Sequence, residues 1–308
     1  MKTRKIKRKY VSGDVREYEV SGGNWRINVR LDSNPFIGRI VIAGGWSGNS
    51  VSVRRLFEDV CEVWPENVRV NFLMACGGFV VFEWPSSISY VENKLFPDWN
   101  IVQVLVGEAE KVCRRILNDE LRGRLVEFVN YLSFGVDSYM VERNLRKPHV
   151  ELVCLVDLLE DRYYWTGKSY PTVDQERGLV RISDLNTHFV SLDVGRVMIL
   201  GCHDLTMFNN RNWRRMREWR RKIKSEFRSL AKGFRPTIVL HHPHETDSVF
   251  TWRNSWRTLM KIVDSVEMHA SAGRYYNPFG KERSKLIDVL METKLGDTID
   301  FIIRPKVG

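Results

Sequence analysis

Long apolar runs are missing from this chain. No stretch approaches the roughly 20 apolar residues that a helix needs to cross a bilayer, so no membrane partner is expected. The basic opening, MKTRKIKRKY, has no apolar segment behind it and does not read as a secretory signal. Cysteine is sparse as well. The five in 308 residues (Cys61, Cys76, Cys113, Cys154 and Cys202) are scattered, and no CxxC pair exists. That usage excludes a disulfide framework and fits reduced thiols in a cytoplasmic protein. Short repeats, heptad arrays and low-complexity segments are absent too, which excludes solenoids and coiled coils.

What is present is the composition of a globular protein. Hydrophobic residues make up 43% and charged residues 28%, with ten Trp and 15 Phe to fill a core. The length of 308 suits one large or two medium domains. The formal charge of +10 is unevenly spread. Residues 1–9 carry six Lys/Arg and no acid, and residues 209–232 carry ten Lys/Arg against two Glu. Local positive charge of this kind attracts a phosphate backbone or an acidic partner.

Periodicity predicts an α/β class: two α/β parts, with mixed or parallel sheets flanked by helices. Residues 1–12 read as a disordered basic arm, 13–125 as one α/β domain and 126–308 as a second. In the first, GRIVIA at 38–43 is a buried strand running into the glycine-rich turn GGWSG. A helix follows, with Val53, Leu56, Phe57, Val60 and Val63 at helical spacing. Strands are expected at 68–74 and 101–106, and a long helix at 108–132. In the second, strands at 151–156, 195–200 and 237–240 alternate with helices at about 212–230 and 252–263.

Five of the seven histidines fall between 203 and 269: His203, His241, His242, His244 and His269. Several directly follow a predicted strand, where open α/β sheets build their ligand sites. With Asp204, Asp247 and Glu245 nearby, they form a candidate set for a divalent metal.

These motifs carry a resemblance. The strand entering Gly201-Cys202-His203-Asp204 resembles the GNHD/E motif of calcineurin-like metallophosphoesterases, and LHHPH at 240–244 resembles their later histidine motif. LVCLVDLLED at 152–161 sits where that family has GD-x-x-D, and Asp137 where it has D-x-H. The likeness covers about residues 130–280. It implies a metal-dependent phosphoesterase or nuclease-like protein acting on nucleic acid or nucleotides through Mn, Zn or Fe. By position it implies Asp157, His203, His241, His244 and Asp247 as ligands, with His203, Asp204 and His242 in the chemistry. The departures are Tyr139 for a ligand histidine, Val156 for a glycine and Cys202 for the motif asparagine. They leave open an alternative: a non-catalytic nucleic-acid-binding or assembly protein on a degenerate hydrolase fold. A weaker resemblance links residues 38–78 to caspase-like cysteine peptidases, through Met74-Ala75-Cys76-Gly77-Gly78. The turn at Ala43-Gly44-Gly45 lacks the histidine that would activate Cys76.

The helix expected at 212–230 sets an apolar stripe against a cationic face. Arg214, Arg217, Arg221, Lys224 and Arg228, with Arg274 further on, are the expected nucleic-acid contacts. A homo-oligomer is compatible with this reading.

Overall fold

The computed structural model describes residues 14–19, 24–88, 99–139, 148–209, 216–277 and 282–305. The arm expected at 1–12 lies outside them. The chain adopts the expected α/β class, with two mixed sheets and helices on their outer faces. Among the described residues, no helix is long and apolar enough to cross a membrane.

The first sheet takes β1 (Asp14–Glu19), β2 (Trp25–Leu31), β3 (Ile37–Ile42), β4 (Val70–Met74), β5 (Val80–Glu83), β6 (Val129–Tyr139), β7 (Glu151–Asp157) and β8 (Arg162–Gly167). Helix α1 (Ser50–Glu62) follows β3, while α2 (Trp99–Ile116) and α3 (Asp119–Val126) lie between β5 and β6. The second sheet takes β9 (Phe189–Leu192), β10 (Gly195–Leu200), β11 (Ile238–His241), β12 (Met268–Ser271) and β13 (Lys294–Leu295). Its helices are α4 (Glu218–Phe234) and α5 (Val249–Ile262), while α6 (Leu286–Glu292) clusters with Val249 of α5 and Val41 of β3. The chain then returns to the first sheet as β14 (Thr298–Pro305).

The strand order is β1-β2-β14-β3-β4-β6-β7-β8 in the first sheet, with β5 also pairing β6, and β13-β12-β11-β10-β9 in the second. Parallel pairs join β3 to β4, β4 to β6, β10 to β11 and β11 to β12. The two-residue period of each strand sorts its side chains into layers. In β7, Leu152, Cys154 and Val156 join the core beneath α1–α3, while Val153 and Leu155 turn to the other face. In β10, Met198 and Leu200 meet Phe227 of α4 and Trp252 and Trp256 of α5. Val197 and Ile199 turn inward to join Val153 and Leu155. The result is four layers, helix–sheet–sheet–helix, with an apolar seam between the sheets. Each fully buried Phe or Leu in these layers contributes roughly 1.5–3 kcal/mol.

Two sequence expectations change here. Residues 101–106, expected as a strand, form part of α2, because a short apolar run fits either period until its flanks decide. The long helix expected at 108–132 is broken: Asn118 caps α3 by accepting from Leu121 N–H at 3.0 Å, and β6 begins at Val129. The basic helix runs over 218–234, and Arg214 lies outside the described residues.

This topology gathers one edge of the sandwich. Strands β4, β6, β10 and β11 end there, β7 begins there, and β8, antiparallel to β7, ends there. Alternation along β6 puts Asp137 on the same side as Tyr131, toward the seam.

Candidate active site

Five ionisable side chains converge at that edge. Glu151 opens β7, Lys168 follows β8, Cys202 follows β10, His244 lies three residues beyond β11 and Asp137 is near the end of β6. Ligand-type atoms of Glu151, Cys202 and His244 all lie within 4.8 Å of one another. Lys168 Nζ donates to Glu151 Oε2 at 2.8 Å, and both residues are buried. Gln175 Nε2 donates to the other oxygen, Oε1, and lies 3.2 Å from His149 Nε2. His244 Nε2 donates to Asp137 Oδ2 at 2.6 Å, and its Nδ1 lies 3.7 Å from Glu151 Oε2. The backbone N–H of His244 donates to Cys202 Sγ at 3.4 Å.

Local sequence explains how the thiol is held. Asp204 is fully buried and accepts from Gly201 N, Ser169 N and Tyr170 N at 2.8–3.0 Å. It clamps the turn after β10 to the segment after β8, which brings Cys202 to Lys168. A Cβ on Gly201 would lie 2.9 Å from Asp204 Oδ2 and 3.1 Å from Lys168 N, so the clamp requires glycine. Across the site the backbone approaches even more closely: a Cβ on Gly135 would sit 2.4 Å from Gly77 Cα.

The electrostatics favour charged forms. Burial would raise the Cys202 thiol, but His244 and Lys168 outweigh it and hold it below its ordinary value. Burial would lower His244, yet Asp137, Glu151 and Cys202 keep it well above the usual imidazole range. Glu151 is likewise buried, and Lys168 and His244 keep it well below the usual carboxylate range. Lys168 is raised by Glu151 and Cys202 against its own desolvation. The surroundings therefore favour the thiolate of Cys202 and the imidazolium of His244, whose ligand-type atoms lie within 4.8 Å of each other, beside the buried Lys168–Glu151 ion pair.

The residues expected from sequence are placed as follows. His203 sits beside Cys202 with its ring parallel to Tyr170, centroids 6.2 Å apart. Burial and the nearby Lys168 and Arg220 push it down to about 4. His241 Nε2 donates to the Cys202 carbonyl at 3.1 Å, and its Nδ1 lies 2.9 Å from Ser271 Oγ. His242 Nδ1 donates to the Ala75 carbonyl at 2.7 Å, leaving Nε2 2.9 Å from Ser133 Oγ. His269 stacks on Trp256 at 3.9 Å. Asp247 faces Arg283 at 3.4 Å. Asp157 stands at the opposite end of β7 from Glu151, roughly 20 Å away at strand rise, where it caps Leu159 and Glu160 N–H at 3.1 Å. Arg217 and Arg220 share Glu176, Arg228 Nε donates to the Met207 carbonyl, and Arg274 Nε donates to the His244 carbonyl. Arg221 is exposed and Lys224 is buried.

The expected Mn, Zn or Fe centre is corrected on this geometry. Among the described residues, the group of His, Cys, Asp and Glu close enough to share an ion is Glu151, Cys202 and His244, and only His244 belongs to the expected ligand set. His241 and His242 bind backbone carbonyls instead. Sequence reasoning did not single out Glu151 and Lys168, and it read Cys202 only as a departure from a motif. The available signals were a charged residue at the head of the apolar strand ELVCLV and a thiol in a glycine turn after a strand.

No protein-family model and no curated protein matches the chain. Solved structures to which this chain is similar include an amidase from Nesterenkonia sp., 13% identical over 79% of this chain and 78% of that one, with a TM-score of 0.43. A Cys-to-Ala mutant of the Nesterenkonia AN1 amidase, of the nitrilase superfamily, aligns over the same shares at 13% identity and a TM-score of 0.42. A CN-hydrolase superfamily protein from Xanthomonas campestris, carrying an arsenic adduct in its active site, is 10% identical over 77% and 75%, with a TM-score of 0.42. The resemblances to calcineurin-like phosphoesterases and caspase-like peptidases are corrected on the geometry of the chain, and with them the phosphoesterase and nuclease functions. Two physical reasons stand behind this. The phosphoesterase-type ligands do not assemble, and Cys76 is fully buried, with burial pushing its thiol up to about 11.

Proposed function

We propose that the chain is a cysteine-dependent hydrolase of carbon–nitrogen bonds in carboxamide-type substrates, with Cys202 as nucleophile. The observation that carries this is the Cys202 thiol set among His244, Glu151 and Lys168 at a strand-end turn. A thiolate attacks a carbonyl carbon well, and a neighbouring cation keeps it ionised at neutral pH. An amine leaves only with a proton, and the Asp137-bound imidazolium of His244 is placed to give one. Once neutral, His244 takes a proton from the water that hydrolyses the thioester. Glu151 is too weakly basic for that part, since Lys168 holds it ionised. Its role is to keep Lys168 in place, where the ammonium stabilises the anionic tetrahedral intermediate. A thioester or ester substrate would not need so much acid beside the leaving group, which favours the C–N bond.

The test is a panel of small primary amides with ammonia release as readout. Wild type should turn over at least one of them, and Cys202→Ala should be inert. Iodoacetamide should label Cys202 first, because Cys61, Cys76, Cys113 and Cys154 are buried. Equal labelling of wild type and Cys202→Ala, or turnover by that variant, would remove the proposal.

A further inference from the structure

A cleft of about 440 Å³ opens on the outer face of the second sheet, between α5, α6 and the strands β12 and β13. Its volume is in the range of small-molecule sites. None of the five side chains at the catalytic edge lines it. Helical spacing on α5 sets two rows side by side there: Arg253, Arg257 and Lys261 at four-residue intervals, and Trp256 with Met260. Strand β12 supplies the floor. Ala270 turns to the seam between the sheets, so His269 faces the helices, where it stacks flat on Trp256 with centroids 3.9 Å apart.

Two of the cations on the cleft wall are already spent. Arg253 bridges α5 to α6 by donating to both oxygens of Glu292, and Lys294 donates to Asp32. Arg257 and Lys261 are exposed and one turn apart, and among the described residues neither has an ion-pair or hydrogen-bond partner. Beneath them lie two buried nitrogens that also lack a partner, Trp256 Nε1 and His269 Nδ1. Trp256 is 4% exposed and His269 6%. Burial and the nearby Arg39 keep the imidazole uncharged, with its pKa pushed down to about 3. Buried polar groups in native folds are hydrogen-bonded as a rule. Two adjacent exceptions lining one cleft mark where a ligand would supply the missing partner.

We propose that this cleft binds a small organic oxyanion, a carboxylate or a phosphate monoester carried on an apolar body. Arg257 and Lys261 take the charged group at the rim, where a guanidinium fork and an ammonium suit either anion. The body lies over the apolar side chains of Met260 and Met291, and a polar atom on it meets the orphaned nitrogens of the floor. The site stands independently of the C–N hydrolase reading.

Calorimetric titration of the full chain tests it, at physiological salt so that loose ion pairing is screened. The probes are benzoate, phenyl phosphate, inorganic phosphate and benzyl alcohol. Benzoate or phenyl phosphate should bind, at least about tenfold more tightly than inorganic phosphate or the neutral alcohol. The tighter of the two identifies the anionic group. Replacing Arg257 and Lys261 together by Gln should weaken that binding about tenfold without lowering Tm, because both side chains are exposed. His269→Phe keeps a ring on Trp256 and removes the nitrogens, so binding should fall about tenfold while Tm holds or rises. A histidine with only a structural role would leave binding untouched, and that result would overturn the proposal. So would the absence of binding by either aromatic anion at about 10 mM, or inorganic phosphate binding as tightly as phenyl phosphate. Binding that survives the loss of both Arg257 and Lys261 would put the anion elsewhere on this basic chain and overturn it as well.

Discussion

At Cys202 and His244, reactivity comes from neighbours rather than from the residues alone. The thiol is lowered and the imidazole raised, and both shifts favour a pH window in which thiolate and imidazolium coexist. Activity should rise as the thiol ionises and fall as His244 loses the proton it gives to the leaving amine. Asp137 sets the upper limit of that window through its 2.6 Å bond to His244 Nε2. Asp137→Asn should therefore move the alkaline limb of the kcat/KM profile to lower pH and reduce kcat by roughly 10²–10⁴. A profile that keeps its alkaline limb would mean that another group supplies the proton. Much of this pairing was hidden in the sequence. Asp137 and His244 are 107 positions apart, and Glu151 and Lys168 bracket a hairpin whose register no motif encodes. The histidines were conspicuous by number, yet His241 and His242 reach the Cys202 and Ala75 carbonyls just beyond the ends of β10 and β4.

Among the elements, the strands at 38–43, 151–156, 195–200 and 237–240 were legible because a buried strand reads as a short apolar run between turn residues. Residues 101–106 read the same way and are helical, since the flanking residues that extend α2 to Ile116, rather than the run itself, carry the helical period. The basic face of α4 was legible as a face, but not in its direction. Arg220 and Lys224 point into the protein, so a nucleic-acid surface gains no support from them. A comparable buried charge ties β14 to β3. Arg39 is fully buried, donates to both oxygens of Asp300 at 2.7 and 2.9 Å and reaches the Leu290 carbonyl. Arg39→Met should cost roughly 3–5 kcal/mol by stranding Asp300, and adding Asp300→Leu should recover much of it. Urea unfolding of the single and double variants reads this directly. A single variant as stable as wild type would mean that Arg30, 3.5 Å from Asp300, suffices alone.

For the whole molecule, several buried neutral histidines make stability depend on pH. Burial pushes His241 to about 3, His242 to about 4 and His269 to about 3. Their folded values lie below the unfolded one, so the unfolded chain binds more protons as the pH falls through about 6.5. The stability they contribute is complete above that value and is lost toward about 4. Between pH 7 and pH 5 each histidine should cost on the order of 2 kcal/mol. His244, raised rather than lowered, acts in the opposite sense and offsets part of this loss. Urea midpoints should fall steeply from pH 7 to pH 5 and partly recover in His242→Gln; flat midpoints over that range would contradict the burial argument.

The position of β14 between β2 and β3 has a consequence for biosynthesis. Arg39 and its partner Asp300 are 261 positions apart. At a translation rate of about 5–20 residues per second, β2 and β3 wait on the order of tens of seconds for the strand that separates them. Throughout that interval each presents an open ladder of backbone amides and carbonyls, the template on which foreign strands add. The nascent chain is most vulnerable to misassembly while it still lacks β14, and holdase chaperones acting on the ribosome-bound chain should matter more to its yield than those acting after release.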